Sequence, residues 1–293
     1  MIKLTVVPIF IMLLIGFVLF DVVSAQDETS PTDTGLSETV STVNDALYKQ
    51  VLTEYNLSLE KYKKAHEEYL LRRSQYIKFK TLTAQQEAYK ATLEMLIARN
   101  DVVVNYLNVL RERLFMAEGV SYETKNRLDI AINLEKDWYM KHTEILPSAE
   151  TLENLVNDSN KAGARYRQTK LLSYEVFYYI SDGKIESFRL SLNSVIDKLK
   201  NLKGIIKSEE RPEYQLDPRK IKNIERFLLE SENRMTRASA LQLKAREEVD
   251  RLTKSQDGLS VYNSMVIHLA ESQQFFREVG SFLKEVIKEI KSR

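Results

Sequence analysis

The chain has 293 residues, 29% of them charged, and its 43 basic and 42 acidic side chains nearly cancel, unlike the basic balance of a nucleic-acid or polyanion binder. Eight glycines and five prolines are too few for a collagen, a Pro/Gly linker protein, or a sandwich or barrel with turns about every 8–12 residues. Zero cysteine excludes disulfides, thiol nucleophiles, thiolate metal sites and a cysteine-borne lipid anchor.

Residues 1–25 read as a secretory signal: Lys3, then a mostly apolar run from Leu4 to Phe20, then the small-residue site Val23-Ser24-Ala25 with cleavage before Gln26. The run is close to the shortest membrane span, so a retained N-terminal anchor is the alternative. Either way the body is expected outside the cytoplasm, at the extracellular or cell-envelope face. Residues 26–36 are polar and read as a flexible tether.

From Leu36 onward apolar residues recur at alternating spacings of three and four, the period of helices packed on one another. The expected fold is all-α, an elongated antiparallel helical bundle of coiled-coil hairpins. In the first hairpin, 37–118, Tyr48, Tyr55, Tyr62, Tyr69 and Tyr76 stand seven apart, with Leu52, Leu59, His66 and Arg73 between them. The phase breaks near residue 81, where Thr83 and Gln86 read as a capping box. The second helix carries a seam through Leu82, Gln86, Tyr89, Leu93, Leu96, Asn100, Val103, Leu107, Leu110, Leu114 and Ala117, and Gly119 stops it. Folding back at residue 81 sets Asn100 level with Tyr62, and Leu96 with His66.

In the central segment, 119–207, Ser121 caps a third helix whose expected buried side is Leu128, Ala131, Leu134, Trp138 and Ile145, ended by Pro147. Ser148 and Glu150 restart the chain as one long helix over 149–207, favoured over a break at Ser181-Asp182-Gly183. Residues 208–217 are a loop around Pro212. The second hairpin, 218–293, opens on Asp217-Pro218, an N-cap followed by the residue that fits the first helical position. Its first helix buries Ile224, Leu228, Met235, Ala238, Ala245 and Leu252 and ends at Gly258 as a left-handed cap. Its second opens at Ser260 with the seam Tyr262, Val266, Leu269, Gln273, Phe276, Gly280, Leu283, Ile287 and Ile290. One continuous bundle is expected, with two bundles end to end as the alternative. Gly163, Gly183 and Gly280 mark bends or close approaches within helices.

No catalytic, cofactor-binding or metal-binding residue is expected, and the chain reads as a non-enzyme. His66-Glu67-Glu68-Tyr69-Leu70 lacks the second histidine of the zinc-protease helix motif, and His142 and His268 stand alone on their faces. Carboxylates lie in Glu/Lys mixtures typical of solvated helix surfaces, and the phosphate-cradling glycine motifs are missing. The sequons at Asn56 and Asn157 fall inside helices. Asn100, Gln273 and Gln86 are polar residues on apolar seams, placed to fix register. The tyrosine column, Tyr48, Tyr55, Tyr62, Tyr69 and Tyr76, is the candidate interaction surface. Its hydroxyls recur about every 10.5 Å along a helix, so an exposed column could stack the sugar rings of a cell-wall polymer, whereas a packed one holds helices together. Tyr174 to Tyr179 is the most aromatic stretch, enclosed by neighbours or offered to a partner.

The segment Ser121-Tyr122-Glu123-Thr124-Lys125-Asn126-Arg127-Leu128, with Trp138, His142 and Thr151-Leu152-Glu153, resembles uncharacterised secreted helical proteins of candidate-phyla bacteria. The resemblance implies a bacterial exported or envelope protein and carries no site residue. The expected function is an exported noncatalytic scaffold, spacer or partner-binding surface of the bacterial cell envelope, acting on protein partners or by self-association through its helices. The alternatives are an extracytoplasmic holding chaperone or envelope-assembly factor, and a membrane-active helical protein. Nucleic acid is not an expected partner, and membrane contact is expected only through the N-terminal segment.

Overall fold

The computed structural model describes residues 35–292 apart from 209, 210, 212–214, 253 and 256, with side chains from Asp45 onward. The expected leader and most of the tether lie outside the described residues. The chain divides into two units, residues 1–42 and Val43–Arg293. Among the described residues the structure is helical without strands: α1 (Gly35–Phe79), α2 (Leu82–Met116), α3 (Tyr122–Ile145), α4 (Leu152–Lys207), α5 (Pro218–Glu247), α6 (Val249–Leu252) and α7 (Gly258–Lys291). A 3-10 turn, Leu146–Ser148, joins α3 to α4. Helix thus begins at Gly35, inside the segment read as tether.

Within the second unit α4 is the shared spine, 56 residues long, or about 84 Å at the helical rise. Its first half packs between α2 and α3. Tyr89 meets Ala149 and Arg99 meets Ser159, while Glu135 meets Arg165 and Arg127 meets Glu175, so α2 runs parallel to this part of α4 and α3 antiparallel to it. Its second half packs against α5 and α7: Asp182 meets Gln242, Lys200 meets Glu232, and the Phe188 and Phe276 rings lie 6.4 Å apart. The two alternatives for the bundle therefore merge, because two helical packings lie end to end on one unbroken helix. Gly183 does not bend α4 apart; it lies buried inside the helix.

The core of the second packing is regular. Ile224, Leu228, Ser231, Met235, Ala238, Gln242 and Ala245 of α5, and Met265, Leu269, Ser272, Phe276, Val279, Leu283 and Val286 of α7, are buried at alternating steps of four and three. Each large apolar side chain in such a seam contributes about 1.5–3 kcal/mol on burial.

Several expectations are corrected. Thr81, not Thr83, caps α2, accepting a hydrogen bond from Ala84 N at 3.2 Å, and Gln86 is exposed. Thr151, not Ser148, caps α4, while the Ser148 hydroxyl closes the preceding turn by donating to Ile145 O. The buried face of α3 is Leu128, Ile132, Glu135, Tyr139 and His142, leaving Leu134 and Ile145 more than half exposed. Following apolar residues alone rotated this face, since the true one includes two ionisable side chains with partners. The α7 seam is likewise turned by one residue: Ser272 and Val279 are interior, while Gln273 and Gly280 sit at its margin. Ser272 fits there because its hydroxyl donates to Ala238 O across the interface at 2.9 Å.

Gly258 opens α7 behind the cap Asp257, so it is not a left-handed cap, and the last helix begins two residues before Ser260. A Cβ at Gly258 would lie 2.1 Å from Leu171 Cδ2, which explains the glycine as a close approach of α7 to α4. Gly163 and Gly280 face open space.

Candidate functional site

The tyrosine column lies on the side of α1 turned toward α2. Tyr55 and Tyr69 are buried, while Tyr48, Tyr62 and Tyr76 are half-buried. Tyr55 meets Tyr106 with ring centroids 6.1 Å apart, Arg113 lies over the Tyr48 ring, and His66 sits between Tyr62 and Tyr69 at 5.6 and 6.0 Å. These pairings reproduce the register set by a fold-back near residue 81. Burial raises the phenol pKa of Tyr55, Tyr62 and Tyr69, because an ionised ring oxygen would lose its water. The column therefore works as the packing face between α1 and α2.

Behind it, α2, α3 and α4 enclose a polar layer. Asn100, fully buried, sets its Nδ2 2.9 Å from His142 Nδ1 and donates to Thr143 Oγ1 at 3.0 Å. Trp138 stacks on the His142 ring at 4.8 Å with planes 11° apart, and the Arg165 guanidinium lies over Trp138. Arg165 also grips Glu135 with two nitrogens, at 3.0 and 2.7 Å. Glu135 Oε2, which takes Arg165 Nε, also accepts from Thr169 Oγ1 at 2.9 Å, and Tyr139 OH sits 3.4 Å from that hydroxyl. Arg99 joins the layer through Ser159 Oγ at 3.1 Å.

The electrostatics follow from enclosure. Burial lowers the Arg99 pKa, partly offset by the oxygens of Tyr62 and Tyr139. Burial also lowers that of His142, and the cations Arg99 and Lys161 push the same way against Asp158. A neutral His142 is the form this layer favours. Arg99 Nη2, Asn100 Oδ1 and His142 Nε2 are buried with no protein hydrogen-bond partner.

Asn100 was legible from the seam. Glu135, Tyr139 and His142 were missed, although the steps from Leu128 through Ile132, Glu135, Tyr139 and His142 to Leu146 keep the alternation of four and three. Gln273 and Gln86 take no part in the layer.

The two packings meet around Asp182. Its carboxylate accepts from Gln242 Nε2 at 2.7 Å and from Arg246 Nη2 at 3.0 Å, joining α4 to α5. Tyr174 stacks on Tyr262 at 4.6 Å, joining α4 to α7, so the aromatic stretch is enclosed on that side by a neighbour. Gly119 takes φ +71°, and a Cβ there would stand 2.0 Å from Gly183 O, so these two glycines let the α2–α3 turn touch α4 through backbone. A small half-open cleft beside them is lined by Arg113, Met116, Ala117, Glu118, Ile180 and Lys184.

Among the described residues no group of three or more His, Asp or Glu side chains is arranged to hold a metal ion, and no helix is long and apolar enough to cross a membrane. No family model, curated protein or solved structure matches the chain.

Proposed function

We propose that this protein is an exported, noncatalytic helical scaffold of the bacterial cell envelope, whose body holds two binding ends a fixed distance apart. The observation that carries the reading is α4, which runs unbroken from Leu152 to Lys207 and is shared by both packings. The α1–α2 turn lies near its first residue, since Tyr89 OH donates to Ala149 O at 2.5 Å. The α4–α5 connection lies at its last. Separation of the ends is therefore set by helix length. Export is supported by Lys3, the apolar run Leu4–Phe20 and the Val23-Ser24-Ala25 site.

A photocrosslinking residue placed in intact cells at Leu82, 71% exposed, and separately at Ile205, 65% exposed, tests this. A spacer captures different neighbours at the two positions, and the mature chain begins at Gln26 or retains the leader as an anchor. The same neighbours at both positions would end the spacer reading. A cytoplasmic neighbour set with an unprocessed soluble chain would end the export reading.

A second reading, a holding chaperone, draws on α3, whose outer side exposes Ile130, Leu134, Met140 and Ile145 by half or more. Suppression of aggregation of a denatured client, lost in Leu134→Ser/Ile145→Ser, would favour it over the scaffold.

A further inference from the structure

The turn between α1 and α2 joins positive charge to exposed apolar side chains at one end of the hairpin. From Leu70 to Gln86 the chain carries Arg72, Arg73, Lys78 and Lys80 and not one acidic residue, in a protein whose charges otherwise balance. Five large apolar side chains in the same stretch are exposed: Leu70 and Leu71 by nearly half, Ile77 and Phe79 by more than half, and Leu82 by 71%. An exposed leucine alone means little, but a cluster at one tip interleaved with lysines has no packing role in this fold.

The shape is as informative as the composition. Tyr89 is level with Ala149, at the connection between α3 and α4, and Leu82 lies seven residues further out, or about 10 Å along the helix. The hairpin therefore overhangs its neighbours as a convex end, whereas a protein-binding groove is concave. Lys80 closes α1 in the left-handed conformation, φ 51°, with its amide donating to Tyr76 O at 2.9 Å. That turn fixes Phe79 and Leu82 on either side of the end. Arg72 is balanced locally by Glu68 and, at 3.9 Å, by Glu87, which leaves Arg73, Lys78 and Lys80 as the cations the tip offers.

We infer that the α1–α2 tip docks on an anionic phospholipid surface, with Ile77, Phe79 and Leu82 entering the headgroup region while Arg73, Lys78 and Lys80 meet lipid phosphates. Apolar residues flanked by lysine are the composition of an interfacial anchor, and the tip is too short to span. Positive charge and exposed apolar groups at one convex end complement a negatively charged, deformable plane. This adds membrane contact at the tip to that expected from the N-terminal segment, and it names the surface at one end of the scaffold. It rests on the tip alone, so the crosslinking test can fail while this one succeeds, and the reverse.

The absence of cysteine makes a direct test available in the full chain. Leu82→Cys is labelled with a polarity-sensitive fluorophore and titrated with vesicles of phosphatidylcholine, alone or mixed with phosphatidylglycerol. Leu243→Cys, on α5 in the other packing and 55% exposed, is the control. The proposal expects a blue shift at residue 82 with the anionic vesicles and none at residue 243. Adding Lys78→Gln/Lys80→Gln should raise the lipid needed about thirtyfold, at about fivefold per cation removed, and Phe79→Ser should reduce the shift at unchanged helicity by circular dichroism. Equal shifts with neutral vesicles, equal shifts at both positions, or no shift at residue 82 would overturn it. A probe that ignores vesicles but shifts as the protein is concentrated would show the tip seated on a second copy, which also overturns it.

Discussion

The two halves of the α4 spine are stabilised by different chemistry. Beyond residue 182, α5 and α7 present interior faces that alternate strictly by four and three residues, and Ser231 and Ser272 cap their own hydroxyls on backbone carbonyls. Before residue 182, the interior contains Asn100, Glu135, His142, Thr169 and Ser173 as well as leucines and valines. An apolar interface gains stability in proportion to area and tolerates a slip of one heptad. A polar layer fixes one register, because any slip leaves a buried donor or acceptor without its partner. The first half also holds the longest hairpin, whose tyrosines would otherwise fit α2 equally well one heptad away.

The largest expected effect breaks the apolar half alone. Phe276 is fully buried, and Phe276→Ala should cost about 3–5 kcal/mol. Hydrogen exchange should show lost protection along α5 and α7 with α2 and α3 retained. Equal losses in α2 and α3 would show that the halves unfold as one.

Gly119→Ala should strike both halves, because it forces a side chain onto Gly183 O at a left-handed residue. Strain of about 1–2 kcal/mol and overpacking of about 1–3 kcal/mol add to a destabilisation second only to the first. Denaturant melts followed in α2 and in α5 should shift together. A shift in α2 alone would mean that the turn does not couple the halves.

Smaller still is Glu135→Ala, which strips three hydrogen bonds from the polar layer. The expected cost is about 1.5–3 kcal/mol, the range for a bond to a charged group, held down because Arg165 can turn to water. Trp138 is the chain's one tryptophan and lies in this layer, so its fluorescence reads the loss without interference from α5 or α7.

The same contrast explains what the sequence makes legible. Most of α5 could be read from its pattern, since its buried face is apolar at five of seven positions, and only Ser231 and Gln242, which find their partners in Phe227 O and Asp182, escaped it. The Asp217-Pro218 start of α5 and the Ser121 cap of α3 were legible for a related reason, because capping chemistry is local. α3 could not be read this way. Its interior face includes Glu135 and His142 while Leu134 and Ile145 point outward, and only the partners Arg165 and Asn100, distant in sequence, make that orientation the better one. In α7 two candidate seams lay one residue apart, and the choice fell to a serine whose value depends on a carbonyl of α5. The tip composition was in plain view, but its exposure and overhang needed the level of Tyr89 against Ala149.

His142 provides the finest test, by pH. Its pKa in the folded chain lies below the ordinary histidine value of 6.5, first through burial and then through Arg99. The unfolded chain therefore binds the proton first as pH falls, and protonation favours unfolding. Stability from the neutral imidazole is fully present above about pH 6.5 and is lost as pH falls through that value toward the folded pKa. Glu186, on the other half of α4, behaves oppositely in origin: its hydrogen bond with Arg189 holds its pKa below the ordinary 4.5. Its contribution is present above 4.5 and lost only below it. Between these two values acid should loosen the polar half while leaving the apolar half intact. Urea melts followed by Trp138 should shift to lower midpoint between pH 7 and pH 5, and His142→Gln should remove that dependence. A midpoint that falls equally in the substituted protein would place the sensitive proton elsewhere.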